Sequence, residues 1–416
     1  MDRRSLLKWS GVAAASGMLG ARESFAAVSQ AVPFAGLMDY FNHANEAAVE
    51  LGFTDPARQE AYARQVLMVL SGCYTAVLGS DINNPGLMPF IPSFMPYLAP
   101  NPDTFYGIAP IDPDGVYRVS GKKGTETIAS VMLRDGGPHL GRLNGRRVGE
   151  IDLEAVKADS DGNFSFLLSS EPVADSAQQW FSLPAETRCL MARRVIKDIS
   201  QVDGVWDIQR IDRKPAPLKE SLTAMKEKMQ QAVNCAKTTN RFVMEYMNGL
   251  RAKGAEKGFI LDEQTNYGGL VSQIYFFHLF HLEEDEALVI ECDVPKAKYW
   301  SLQVLDPFAT SLDFVHHQTF MNDAQAHVDA DGKVRFVLCA SDPGVANWLD
   351  SGGWKSGAGL LWRWNDVAET PEPSISRVPL AALRSSLQED TLWFDSAQRS
   401  QALERRGQLY KHRRLF

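Results

Sequence analysis

His278 and His281, followed by Glu283, Glu284, Asp285 and Glu286, form the stretch most suggestive of a metal site. Imidazoles three apart on a helix share one face, and a nearby carboxylate would complete a two-His, one-carboxylate centre. The spacing is not the H-E-x-x-H of zinc hydrolases, and Phe276, Phe277 and Phe280 surround the pair. A core helix ending in an acidic turn is the plainer reading. A second cluster is Asp313-Phe-Val-His316-His317. On a strand Asp313, Val315 and His317 share a face, so Asp313 would orient His317 as a general base. A third, Asp135-Gly136-Gly137-Pro138-His139, presents His139 on a turn. No G-x-S-x-G frame accompanies these groups, which argues against a nucleophilic serine.

Strands and helices have to hold these groups in place. Helical spacing runs from Phe34 to about Gly79, broken at Asp55-Pro56, a helix-start signal. Six prolines between Asn83 and Pro102, with Phe90, Phe94 and Tyr97 among them, predict a long ordered loop over a cleft or core edge. From Thr104 the period changes to two and strands follow to about Ile196. A helical stripe returns from Leu218 to about Lys253, and strands resume from Glu286 to Trp364. The turn Asp-x-Asp-Gly occurs at Asp112, Asp159 and Asp329, each time before a strand. Asp-Gly suits tight hairpins, and an EF-hand would need further ligands missing here. Repeated hairpins without a nucleotide-binding glycine motif predict an antiparallel sheet system rather than a parallel one.

Lys and Arg number 43 against 51 Asp and Glu, a formal charge of −8, which lacks the basic footprint of a nucleic-acid binder. The chain opens with Arg3-Arg4 and Leu6-Leu7-Lys8, a short apolar run, and Ser24-Phe25-Ala26. This pattern resembles a twin-arginine export signal cleaved after Ala26, too short and too broken by glycine to span a bilayer. The expected location is therefore periplasmic or secreted, with the export machinery as a transient partner and no stable membrane span after cleavage. Five scattered cysteines without a C-x-x-C pair read as buried side chains, with one long-range disulfide as the alternative. The basic tail from Arg399 onward reads as a solvated helix or a subunit contact.

From Glu284 to Trp364 the motifs Tyr299-Trp300-Ser301, Asn322-Asp-Ala-Gln325 and Asp342-Pro-Gly-Val-Ala-Asn347-Trp348-Leu349-Asp350 resemble the bacterial domain-of-unknown-function family 1214. Asn101-Pro-Asp103-Thr-Phe-Tyr106 looks like the upstream motif of its companion family 1254. The resemblance implies an exported, oligomeric antiparallel β-sandwich with helical additions. It brings no settled activity and no cofactor. The matching positions Asp103, Tyr106, Asn322, Asn347, Trp348, Asp350 and Arg363 become candidates. Arg363 stands out because a buried guanidinium needs a carboxylate partner or an anionic ligand.

Together these readings predict an α+β protein, with a β-sandwich or jelly-roll-like body and helical segments at the N-terminus and mid-chain. The divisions expected are 1–26 signal, 27–100 helices and loop, 101–215 first β unit, 216–282 helical insertion, 283–370 second β unit and 371–416 C-terminal helix and tail. Two similar sheet units are expected to make up the body. The function expected is binding or transforming a small, largely apolar molecule, by lyase, isomerase or hydrolase chemistry. Asp103, His317 and Arg363 would be catalytic, while Tyr106, Asn322, Asn347, Trp348 and Asp350 would contact the ligand. The alternatives are a non-catalytic envelope-binding or assembly protein, or a metalloprotein using His278 and His281.

Overall fold

The computed structural model describes residues 34–143, 145–174, 177–214, 221–262 and 269–412; the export signal expected in residues 1–26 lies outside them. Three helices pack on one side of the body. They are α1 (Ala35–Glu50), α2 (Pro56–Leu78) and α3 (Leu222–Ala252). Asp55 caps α2 by accepting from the Ala57 N–H with Pro56 at the first turn, and Ser221 caps α3 by accepting from Ala224. Val66, Val69 and Cys73 of α2 meet Val233, Ala236, Val243 and Met247 of α3 in one core. No helix among the described residues is long and apolar enough to cross a membrane.

The strands form two units of identical topology. The first holds β1 (Met88–Pro89), β2 (Thr104–Pro110), β3 (Tyr117–Lys122), β4 (Ile128–Arg134), β5 (Arg147–Asp152), β6 (Asn163–Ser169), β7 (Gln179–Ser182), β8 (Cys189–Val195) and β9 (Val205–Arg210). The second holds β10 (Ile260–Asp262), β11 (Gln273–His281), β12 (Glu286–Asp293), β13 (Ala297–Leu305), β14 (Phe320–Asn322), β15 (Lys333–Cys339), β16 (Trp348–Asp350), β17 (Ser356–Val367) and β18 (Ser374–Pro379). A five-stranded sheet β1-β2-β8-β4-β5 answers β10-β11-β17-β13-β14, and a four-stranded sheet β7-β6-β3-β9 answers β16-β15-β12-β18. Even the parallel pairs, β6 with β7 and β15 with β16, recur. The expected α+β class and sandwich body hold, and the two similar sheet units are a duplicated fold.

Alternation along the strands decides which face meets what. Val131, Leu190 and Ala192 of the first five-stranded sheet pack onto Val119 and Phe166 of its four-stranded partner. Trp300, Trp362 and Trp364 do the same against Phe336 in the second unit. The opposite faces, carrying Met132 and Met191 on one sheet and Tyr275, Phe277 and Leu361 on the other, share a core with the helices. The two five-stranded sheets thus turn their second faces toward a common interior.

Both later Asp-x-Asp-Gly turns are hairpin turns at equivalent places. Gly162 and Gly332 take φ of +85° and +81°, and the Asp159 and Asp329 carbonyls accept their N–H groups. The mid-chain helix ends at Ala252, and the run expected to continue it to residue 282 is instead β11. Burial on both faces of that strand removes the two-residue alternation from its sequence, so an apolar run looks helical. The C-terminal helix α4 (Ser396–His412) is solvated at Arg405 and Lys411 but not along its whole length. Arg399 is buried on Asp342 and the Val345 carbonyl, and Arg406 is buried beneath the helix. All five cysteines are buried thiols, as the first of the two expectations had it.

Candidate functional site

A cavity of about 170 Å³ lies between the two five-stranded sheets, with α3 and the proline-rich loop lining its other sides. An engineered apolar cavity of about 150 Å³ takes up benzene, so the space suits a body of one or two rings. The duplication supplies its walls in pairs. Register puts Tyr106 opposite Arg193 on β2 and β8, and Tyr275 opposite Arg363 on β11 and β17. All four line the cavity. The row continues one strand further, with Ser130 of β4 opposite Arg193 and Ser301 of β13 opposite Arg363, both serines buried. The Tyr-Arg-Ser row is identical in the two units. The flanking equivalents differ: Asn101 and Leu270, Thr104 and Gln273, Met191 and Leu361, all of which also line the cavity.

The remaining wall is mostly apolar. Phe242, Val243 and Tyr246 come from α3, and Phe90, Ile91, Leu98 and Ala99 from the loop. Among the described residues five non-glycines take positive φ, and four of them, Ile91, Leu98, Ala99 and Ala309, line this cavity. Such backbone costs on the order of 1–3 kcal/mol per residue and persists where surrounding structure enforces it, commonly at ligand sites. Here the strain is tied down visibly. The Ala99 N–H donates to the Ala309 carbonyl, and the Ala99 carbonyl accepts from the Arg363 guanidinium.

Charge in the cavity has one sign. Arg134, Arg193 and Arg363 line it, and no Asp, Glu or Lys does among the described residues. Arg134 donates to the carbonyls of Leu143 and Gly145. Arg193 lies 5.7 Å over the Tyr106 ring. Arg363, 3% exposed, donates to Gln303 Oε1 and the Ala99 carbonyl, both neutral acceptors. Burial raises the Tyr275 hydroxyl pKa, while Arg363 and Arg193 pull it back down. Tyr246 donates to Asp262 Oδ2 at 2.6 Å.

Of the residues singled out in the sequence, Phe90, Tyr106 and Arg363 reach this cavity, while Phe94, Tyr97 and Trp348 do not line it; the expected catalytic set of Asp103, His317 and Arg363 does not assemble around it. Asp103 is 1% exposed and accepts from Tyr299 at 2.8 Å, Asn322 at 2.7 Å and Tyr410 at 2.9 Å. His317 sits on a loop, not a strand. Its Nδ1 pairs with Asp350 Oδ2 at 2.9 Å, its side chain is 58% exposed, and Asp313 pairs with His316 instead. Residues 313–316 form a turn whose N–H groups at Val315 and His316 are held by Asp313, which removes the strand geometry that would have aligned Asp313 with His317.

Asn322 binds Asp103 and the Lys197 carbonyl, and Asn347 clamps the backbones of His327 and Arg335. Trp348 donates to the Cys339 carbonyl beneath Arg399. These three and Asp350 hold loops rather than face the cavity. His278 and His281 lie on a strand, where a three-residue step points them to opposite faces. His278 is buried on the Ala255 carbonyl and His281 is exposed beside Glu283, so the shared helical face for a metal is absent. Among the described residues no three His, Cys, Asp or Glu side chains cluster as a metal site.

Arg193 and Tyr275 escaped sequence reasoning. The signal for them was the repeat, since the step from Asp159 to Arg193 equals that from Asp329 to Arg363.

Comparison with known proteins agrees with this architecture. Residues 281–361 match the family described as a protein of unknown function, DUF1214. The chain is similar in fold to the crystal structure of an uncharacterized protein from Burkholderia cenocepacia. The two share 25% identity at a TM-score of 0.76, over 85% of this chain and 99% of that one. A Vibrio parahaemolyticus protein, VPA0106, aligns over 76% of this chain and 98% of its own, at 12% identity and a TM-score of 0.46. No curated protein matches the chain.

Proposed function

We propose that this chain is an exported protein that binds a small, largely apolar molecule in the cavity between its two β units. The observation that carries the reading is the mainly apolar cavity with two Tyr-Arg pairs and four strained backbone positions on its walls. Few converging polar groups in a concave apolar site are the usual pattern of small-molecule recognition. If the bound molecule is transformed, the proton-transfer groups in reach are the hydroxyls of Tyr106, Tyr246 and Tyr275, which suit lyase or isomerase chemistry better than hydrolysis. The absence of a carboxylate or imidazole base among the described lining residues favours the second reading, a non-catalytic binding protein of the envelope.

The neutral dye N-phenyl-1-naphthylamine tests the cavity. Its fluorescence should rise on mixing with the protein, and Val243→Trp should abolish the rise; an equal response in that variant would refute the site. Export through the twin-arginine route is the companion proposal. The protein should appear in the periplasmic fraction and remain in the cytoplasm when Arg3 and Arg4 are both replaced by Lys. A homo-oligomer is the expected assembly, and light scattering on the purified protein reads it directly.

A further inference from the structure

We infer that the cavity takes a small apolar carboxylic acid, its carboxylate held between Arg193 and Arg363 and its apolar body directed toward Phe242 and Val243. The inference deepens the proposed binding function and rests on it. A guanidinium removed from water needs an anion or a full set of acceptors. Arg363 has two acceptors, one amide oxygen and one carbonyl, and no ion pair among the described residues. Gln303 and Ala99 fix its plane without neutralising its charge, leaving N–H groups for a further acceptor. A planar fork with spare donors matches a carboxylate bidentately.

The duplication points the same way. Other residues at equivalent places on the cavity wall have diverged, as Thr104 with Gln273, Met191 with Leu361, and Asn101 with Leu270. Tyr, Arg and Ser are unchanged in the row that crosses the cavity wall. Two arginines that line one cavity present two positive charges to a single guest. The mainly apolar remainder and the size of the cavity limit that guest to an anion borne on a compact apolar body.

Calorimetric titration of the mature protein with matched acids and amides tests this: benzoate with benzamide, phenylacetate with phenylacetamide, 2-naphthoate with 2-naphthamide. At least one acid should bind ten-fold or more tightly than its amide, and weaken as salt is raised. Arg363→Gln should bring acid and amide to equal affinity. Should that variant fail to fold by near-ultraviolet circular dichroism, Arg193→Gln on the other sheet carries the same expectation. Equal binding of acids and amides by the unaltered protein overturns the inference, as does a preference that survives both variants. So does a protein that admits the neutral dye but none of the acids. A protein that admits neither dye nor acids fails at the earlier step, the cavity itself.

Discussion

Asp103 and Tyr410, 307 residues apart in sequence, share a buried hydrogen bond of 2.9 Å that fastens the C-terminal helix to the seam between the two β units. Tyr299 and Asn322 of the second unit donate to the other oxygen of the same carboxylate. Tyr410→Phe keeps the ring contacts with Phe314 and Phe320 and deletes one donor. The loss should cost about 1–3 kcal/mol, read as a lower urea midpoint with unchanged slope. An unchanged midpoint would show that the carboxylate does not depend on the helix.

Strain around the cavity predicts a trade of stability for function. Ala99 has a φ of 49°, a conformation that glycine adopts freely. Ala99→Gly relieves about 1–3 kcal/mol of strain against an entropic cost of about 0.5–1 kcal/mol. A net gain of about 1 kcal/mol should raise the melting temperature. A fall in melting temperature would show that the Ala99 methyl group contributes packing that outweighs its strain.

Asp306 predicts a pH dependence. Burial raises its carboxyl pKa to about 6, although Phe308 and Thr310 donate backbone N–H groups to it. The folded state therefore holds a proton that the unfolded chain releases near 3.8. This contribution is fully present below pH 4 and is lost as pH rises through 6. Asp306→Asn keeps an oxygen for both N–H groups and removes the charge. Denaturation at stepped pH should show the variant gaining on the parent between pH 4 and 6 by on the order of 2–3 kcal/mol, then holding level. A constant difference across that range would contradict the buried charge.

Equivalent hairpins should respond unequally to the same change. Asp329 is buried on Arg335, which also holds Asp331 and Glu291. Asp159 is exposed and is capped by its own neighbours Asp161 and Asn163. Removing Asp329 leaves Arg335 paired with Asp331 and Glu291 but deletes one buried charge-assisted hydrogen bond, at about 1.5–3 kcal/mol, whereas losing an exposed turn bond costs about 1 kcal/mol. Asp329→Ala should lower the unfolding midpoint about twice as much as Asp159→Ala. Similar shifts would mean that the Arg335 network adds little.

Much of the fold was legible because its signals are local. Asp55-Pro56 marked the start of α2, and the Asp-Gly turns marked hairpins. The candidate site was legible only in part. Tyr106 and Arg363 were singled out, one through family resemblance and the other through the cost of burying a guanidinium. Arg193 looked ordinary in Ala192-Arg193-Arg194, since nothing in the sequence tells which of two adjacent arginines faces inward. His278 and His281 misled because spacing was translated with the helical period where the strand period applies. Asp103 and Asn322 were found for the wrong reason, as they bridge the units instead of reaching the cavity.

A guest held by two equivalent arms could lie in either of two orientations with equal energy. The arms here are equivalent in Tyr, Arg and Ser, and unequal in what flanks them: Thr104 answers Gln273, and Asn101 answers Leu270. That inequality removes the two-fold equivalence of the pocket, so the two ends of one unsymmetrical guest present different free energies to it. A fold that doubled an ancestral half thereby acquired a sense of direction through the few positions at which the halves ceased to agree.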